Sequence, residues 1–198
     1  PLQLQPPFSQ YSFSQLTLLD TVRLSGNSLT SIPQALFGNS SVANLWLDNN
    51  LLETLPPLPP SMQLLSLVAN QFSKLVNIPP NLQQLLLDNN SISDLGGPDT
   101  NNQLPSGLVT LKFANNLVTK LPELEMPRLY TLDAQGNRLK NLSSATFTGC
   151  TRLANLFLSG NQLTAMAPIS TFSGLNNLEG LFLDRNMLTW IPSAYFLN

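Results

Sequence analysis

The 198-residue chain has no histidine, one cysteine and little charge: 9 Lys and Arg stand against 11 Asp and Glu, together 10% of the residues. Each shortage excludes a class of chemistry. Without histidine there is no Ser–His or Cys–His couple, no imidazole acid–base catalyst and no His-ligated zinc. One cysteine, Cys150, supports neither an internal disulfide framework nor a thiolate metal cluster. Nine scattered cations and a net charge of −2 cannot make the basic stripe that a phosphate backbone requires, so nucleic acid is not expected as a partner. No run of about 18 apolar residues occurs, and no membrane span is expected. Glycine-rich phosphate loops and nucleophile elbows are also missing, and single carboxylates in Asp48-Asn49-Asn50 and Asp88-Asn89-Asn90 are too few hard ligands for a calcium cage. The chain reads as non-enzymatic, with no cofactor and no metal.

What is present is a period. The pattern L-x-x-L-x-L-x-x-N-x-L begins at Leu19, Val22, Leu24, Asn27 and Leu29 and recurs at Val42, Met62, Leu82, Leu108, Leu129, Leu153 and Leu178. Its asparagines are Asn27, Asn50, Asn70, Asn90, Asn116, Asn137, Asn161 and Asn186, separated by 23, 20, 20, 26, 21, 24 and 25 residues. Five residues after each lies another apolar side chain: Ile32, Leu55, Leu75, Leu95, Leu121, Leu142, Met166 and Ile191. Alternation of period two in L-x-L turns both apolar residues inward and the residue between them outward. One such turn cannot bury its apolar side chains alone; stacked turns can. Where the chain leaves each strand, inward amides and carbonyls lose water, and a short side chain with both donor and acceptor satisfies them turn upon turn, which assigns the asparagines to a structural ladder.

These residues resemble the leucine-rich repeat family over roughly residues 13–198. The resemblance implies an α/β-type solenoid: a right-handed horseshoe with a parallel sheet on its concave side and a convex side that is mostly irregular, 3-10 or polyproline II, with little α-helix. Residues 1–198 read as one such domain of about eight repeats, without cysteine-rich caps and part of a longer chain. Short turns such as Leu55-Pro56-Pro57-Leu58-Pro59-Pro60 and Ile78-Pro79-Pro80 predict polyproline II segments. Longer turns carry Ser12-Phe13-Ser14-Gln15-Leu16, Thr146-Phe147-Thr148-Gly149-Cys150 and Thr171-Phe172-Ser173-Gly174-Leu175. There Cys150 takes the place of Leu16 and Leu175 and reads as a small buried hydrophobe. Gly96-Gly97-Pro98-Asp99-Thr100-Asn101-Asn102 predicts a protruding polar loop.

Candidate binding residues are those that point out of the sheet. The central column reads Arg23, Trp46, Ser66, Leu86, Lys112, Asp133, Phe157 and Phe182. Phe157 and Phe182 are expected to stack, and Trp46, Leu64, Val68 and Leu86 to form a second apolar patch. Asp20, Asp48, Asp88, Asp133, Glu179 and Asp184 make that face mildly acidic and steer towards a partner with basic groups. Three sequons, at Asn39, Asn89 and Asn141, allow N-glycans and, with the low charge, point to an extracellular or cell-surface setting. The leading expectation is protein recognition, adhesion or matrix assembly through the concave face. The turn Ile78-Pro79-Pro80-Asn81-Leu82-Gln83-Gln84-Leu85 is similar to the proline-bearing repeats of small leucine-rich proteoglycans. The same style also resembles bacterial secreted effectors, which would make this chain a substrate-recognition part. A homotypic extracellular fibre is the third alternative.

Overall fold

The computed structural model describes residues 12–96, 104–164 and 169–190. Eight strands of three residues each lie in one parallel sheet in chain order: β1 Thr21–Arg23, β2 Asn44–Trp46, β3 Leu64–Ser66, β4 Gln84–Leu86, β5 Thr110–Lys112, β6 Thr131–Asp133, β7 Asn155–Phe157 and β8 Gly180–Phe182. Parallel neighbours require a full coil of chain between them, which the 20 to 26 residues of each repeat supply. The register places Val22, Leu45, Leu65, Leu85, Leu111, Leu132, Leu156 and Leu181 opposite one another across the sheet. Among the described residues there is no α-helix, only 3-10 turns at Phe13–Gln15 and Ile169–Thr171. The molecule is a leucine-rich solenoid of β type.

The core runs unbroken through the stack. Leu45, Leu65, Leu85, Leu111, Leu132 and Leu156 are fully buried, as are the second leucines or their substitutes, from Leu47 to Leu158. Phenylalanines of the longer turns close the far wall in two pairs, Phe13 edge-on to Phe37 at 5.5 Å and Phe147 stacked with Phe172 at 6.1 Å. Phe37-Gly38-Asn39-Ser40 is a further copy of this turn, one residue shorter, in which buried Ser40 donates through Oγ to the Phe37 carbonyl at 2.8 Å. Cys150 is buried among these residues.

Two details differ from the sequence reading. The proline segments finish in a tight turn, with the Met62 amide donating to the Pro59 carbonyl at 3.2 Å and Leu108 likewise to Pro105, so extended backbone stops before each strand. Leu16, aligned with buried Cys150 and Leu175, is 52% exposed because no turn of the described chain lies on its outer side. The expected polar loop, apart from Gly96, lies outside the described residues, as do Met166 and Ile191.

Each strand stops for the same reason. The residue before every ladder asparagine has a positive φ: Gly26, Asn49, Ala69, Asn89, Asn115, Gly136, Gly160 and Arg185, between 53° and 71°. A left-handed residue turns the chain away from the sheet, and the following asparagine points inward. Asn90 donates from Nδ2 to the Leu87 carbonyl of its own turn and the Leu67 carbonyl of the turn before, both at 2.9 Å, and its Oδ1 accepts from the Phe72 amide at 3.0 Å. Asn50, Asn70, Asn116, Asn137, Asn161 and Asn186 make the same three bonds. Asn27 departs from the expected role: it is exposed and donates only within its own turn, to Leu24 at 2.8 Å and Ser25 at 3.4 Å.

Candidate functional site: the outward sheet face

The same register that turns one apolar residue per strand inward sends the residues on either side of it outward, in two columns. The first column reads Thr21, Asn44, Leu64, Gln84, Thr110, Thr131, Asn155 and Gly180. The second is the column from Arg23 to Phe182, and two residues beyond it stand Ser25, Asp48, Val68, Asp88, Ala114, Gln135, Ser159 and Asp184.

At the N-terminal end the Arg23 guanidinium lies 4.6 Å over the Trp46 ring. A cation over an aromatic face contributes about 0.5–1 kcal/mol at an exposed site and holds the indole in one pose. Trp46, Leu64, Val68 and Leu86 are all half-buried on adjacent strands. Ser66, between Trp46 and Leu86 in the register, faces the same way yet is only 1% exposed. It is covered, and its Oγ donates to the Asp48 carboxylate.

At the other end Phe157 and Phe182 stack with centroids 4.5 Å apart and ring planes within 7°. Gly180 is what allows this pose. A Cβ at residue 180 would sit 2.9 Å from Cε2 of Phe182 and 3.0 Å from Oδ1 of Asn155, so any side chain there would displace the ring. Phe182 stays 42% exposed. Between the two apolar ends, half-buried Lys112 and Asp133 are register partners on β5 and β6.

The acids of this face are less free than a count of charges implies. Asp48 Oδ1 accepts from the Val68 amide at 2.9 Å, and Asp88 Oδ1 from the Ala114 amide at 2.6 Å. Each carboxylate thus satisfies an amide of the next turn. Asp20 Oδ2 accepts from Asn44 Nδ2 at 2.8 Å, Asp133 Oδ1 from the Gln135 amide at 3.1 Å, and Asp184 from the Ser159 hydroxyl. Burial raises the Asp88 carboxyl above the usual 3.8; the Ala114 bond and the Lys112 cation oppose this, while Asp133 and Asp48 add to the rise. Burial pushes the Cys150 thiol up to about 11, with its Sγ directed to the Leu124 carbonyl at 3.4 Å, far from thiolate reactivity at neutral pH.

Asn39 and Asn141 are exposed outside the sheet. Asn89 is exposed too, but its Oδ1 accepts from Asn115 Nδ2 at 3.0 Å and its φ is 57°. Sequence reasoning missed Gly180, whose role shows only once the Phe182 ring is placed. It placed Arg23 in the outward column without foreseeing its contact with Trp46, although an Arg one strand from a Trp in that column is a visible signal. No group of three or more potential metal-ligating His, Cys, Asp or Glu side chains exists among the described residues, and no helix there is long and apolar enough to cross a membrane.

The leucine rich repeat family model matches residues 127–188. The chain is a leucine-rich repeat protein. Podocan of Mus musculus, a small leucine-rich proteoglycan, is 32% identical over 159 residues, covering 76% of this chain and 26% of its own length. The leucine-rich repeat chain thus spans about a quarter of that relative. Among solved structures, a leucine-rich repeat protein of Leptospira interrogans superposes with a TM-score of 0.77 at 27% identity, over 90% of this chain and 46% of that one. A chain from the octameric complex of Latrophilin 3, Unc5D and FLRT2 gives 0.76 at 28% identity, over 87% and 56%.

Proposed function

We propose that the chain is a non-enzymatic extracellular recognition module whose outward sheet face binds a protein partner. The observation that carries this is the pair of preformed apolar ends on a surface the core does not need: Trp46 held by Arg23, and Phe157 stacked on Phe182 above Gly180. Aromatic anchors whose pose is set before binding lose little freedom on association, and such groups carry most of the energy in protein interfaces. The kinship with podocan supports the extracellular setting, since podocan, keratocan and tsukushi are secreted matrix proteins. The complex that contains FLRT2 supports protein recognition as the use of this fold. N-glycans fit at Asn39 and Asn141, which point away from the sheet face; the occupied side chain of Asn89 makes it the poorest acceptor of the three. The smaller number of free carboxylates weakens electrostatic steering and leaves the apolar ends as the main determinants.

The test is cross-linking and co-purification from the native source, repeated with Trp46→Ala and Phe157→Ala together. Both side chains lie outside the core, so thermal melting should stay within a few degrees of the parent. The captured partner should be lost. Retention of the same partner at parental yield by the folded double variant would place recognition elsewhere.

A further inference from the structure

Between the apolar ends of the sheet face runs a row of polar side chains that the protein itself does not use. Gln84, Thr110, Thr131 and Asn155 are register partners at the first position of β4, β5, β6 and β7. All four are exposed or half-exposed, and none of their side chains has a hydrogen-bond partner among the described residues. Asn44, at the same position of β2, is by contrast engaged by Asp20. Beside the row, in the second column, stand Leu86, Lys112, Asp133 and Phe157.

We infer that this face binds an extended polypeptide segment laid across the strands, its backbone met by the Gln84–Thr110–Thr131–Asn155 row and two of its apolar side chains seated at Leu86 and Phe157. This rests on the recognition reading above and narrows it to one kind of partner. A helix satisfies its own amides and carbonyls, so a line of side-chain donors and acceptors offers it nothing. An extended segment carries unpaired N–H and C=O groups along both edges, and these lose water on docking unless such a line replaces it.

The spacing is specific. Leu86 and Phe157 are three strand intervals apart, about 14 Å at about 4.8 Å per interval. An extended chain advances about 3.3 Å per residue, so its two anchors lie about four residues apart. Four is even, so both project to the same side of the segment. The residue midway projects to that side as well and meets Lys112 and Asp133. A paired cation and carboxylate favour a polar residue there.

The experiment pans a phage-displayed library of random linear peptides, each about a dozen residues long, against the 198-residue chain and measures enriched peptides by fluorescence polarisation. Enriched peptides should share two apolar residues four positions apart. Their affinity should weaken about tenfold in Phe157→Ala and in Leu86→Ala, and by a smaller factor in Gln84→Ala with Thr131→Val, with Lys74→Ala as the unaffected control. N-methylation of the peptide backbone between the anchors should also weaken binding. Helical spacing of the anchors, or affinity indifferent to these variants and to N-methylation, would overturn the inference. An absence of enrichment overturns it too, yet leaves recognition of a folded partner standing on its own cross-linking test. Self-association of the chain that Phe157→Ala abolishes would assign the face to a second copy and equally overturn it.

Discussion

At the scale of single residues, two adjacent positions do most to define a turn: the left-handed residue and the asparagine after it. Six of the eight left-handed positions hold Gly or Asn, which tolerate that region, while Ala69 and Arg185 do not. Ala69→Gly should therefore stabilise the chain by about 0.5–1 kcal/mol, seen as a raised denaturation midpoint at unchanged slope. Asn116 is 3% exposed and makes three ladder bonds, so Asn116→Ala orphans the buried Ile92 amide and leaves the Leu87 and Phe113 carbonyls with one ladder donor each, and it should cost about 1–3 kcal/mol. Asn27→Ala should change stability by less than about 0.5 kcal/mol, because Asn27 is exposed and bridges no second turn among the described residues. Equal losses for the two variants would sink the distinction. Counting places all eight asparagines in the sequence, since their offset from the leucines never varies. The left-handed position escapes counting: Gly, Asn, Ala and Arg share no hydropathy, only a backbone angle. The exposure of Asn27 escapes it as well, because burial depends on what packs around a residue and not on its place in the pattern.

At the scale of elements, the convex turns look interchangeable in the sequence but pack differently. Thr146-Phe147-Thr148-Gly149-Cys150 and Thr171-Phe172-Ser173-Gly174-Leu175 share a pattern. Yet a Cβ on Gly149 would lie 2.7 Å from both Cα of Glu125 and the Leu124 carbonyl oxygen, and one on Gly174 would meet nothing within 4 Å. Backbone cannot rotate aside as a side chain can, so Gly149→Ala should cost about 1–3 kcal/mol and Gly174→Ala almost nothing in the same chemical-denaturation measurement. The strand ends hold a second difference. Asp48 and Asp88 looked like free surface acids because a sequence shows the charge but not the amide of the next turn that it serves. For Asp88 the raised carboxyl pKa means that the folded state disfavours the ionised form relative to the unfolded chain. Its contribution to stability is thus fullest at low pH and is lost as pH rises through the folded pKa. Asp88→Asn keeps an acceptor for the Ala114 amide and removes the charge, so it should melt at or above the parent at pH 7, with the gap closing towards about pH 4. A variant less stable than the parent at pH 7 and equal to it at pH 4 would show that the ionised carboxylate is favoured after all.

At the scale of the whole molecule, each turn touches only its neighbours in the stack, and stability is a sum of turn and interface terms. Burial is not uniform along the described turns. Leu111 is fully buried, whereas Leu181, its counterpart in β8, is half-buried, as are Leu178, Leu183 and Leu188. Truncating a fully buried leucine costs about 2–5 kcal/mol, the transfer of its methyl groups plus the cavity left behind. Leu111→Ala should therefore fall in that range. Leu181→Ala should cost well under half as much, because part of its surface already meets water and a cavity open to solvent refills. Hydrogen exchange would read the same gradient without mutation: the ladder amides of Leu87 and Phe113 should be protected near the global unfolding free energy, and that of Leu158, bonded to the Phe182 carbonyl, should open earlier. A uniform profile across all eight strands would mean that the sheet opens as one unit, and the apolar ends of its outward face could then loosen only together. A graded profile would leave the Trp46–Leu86 end rigid while the Phe157–Phe182 end opens locally, making the second the point where a bound segment is first released.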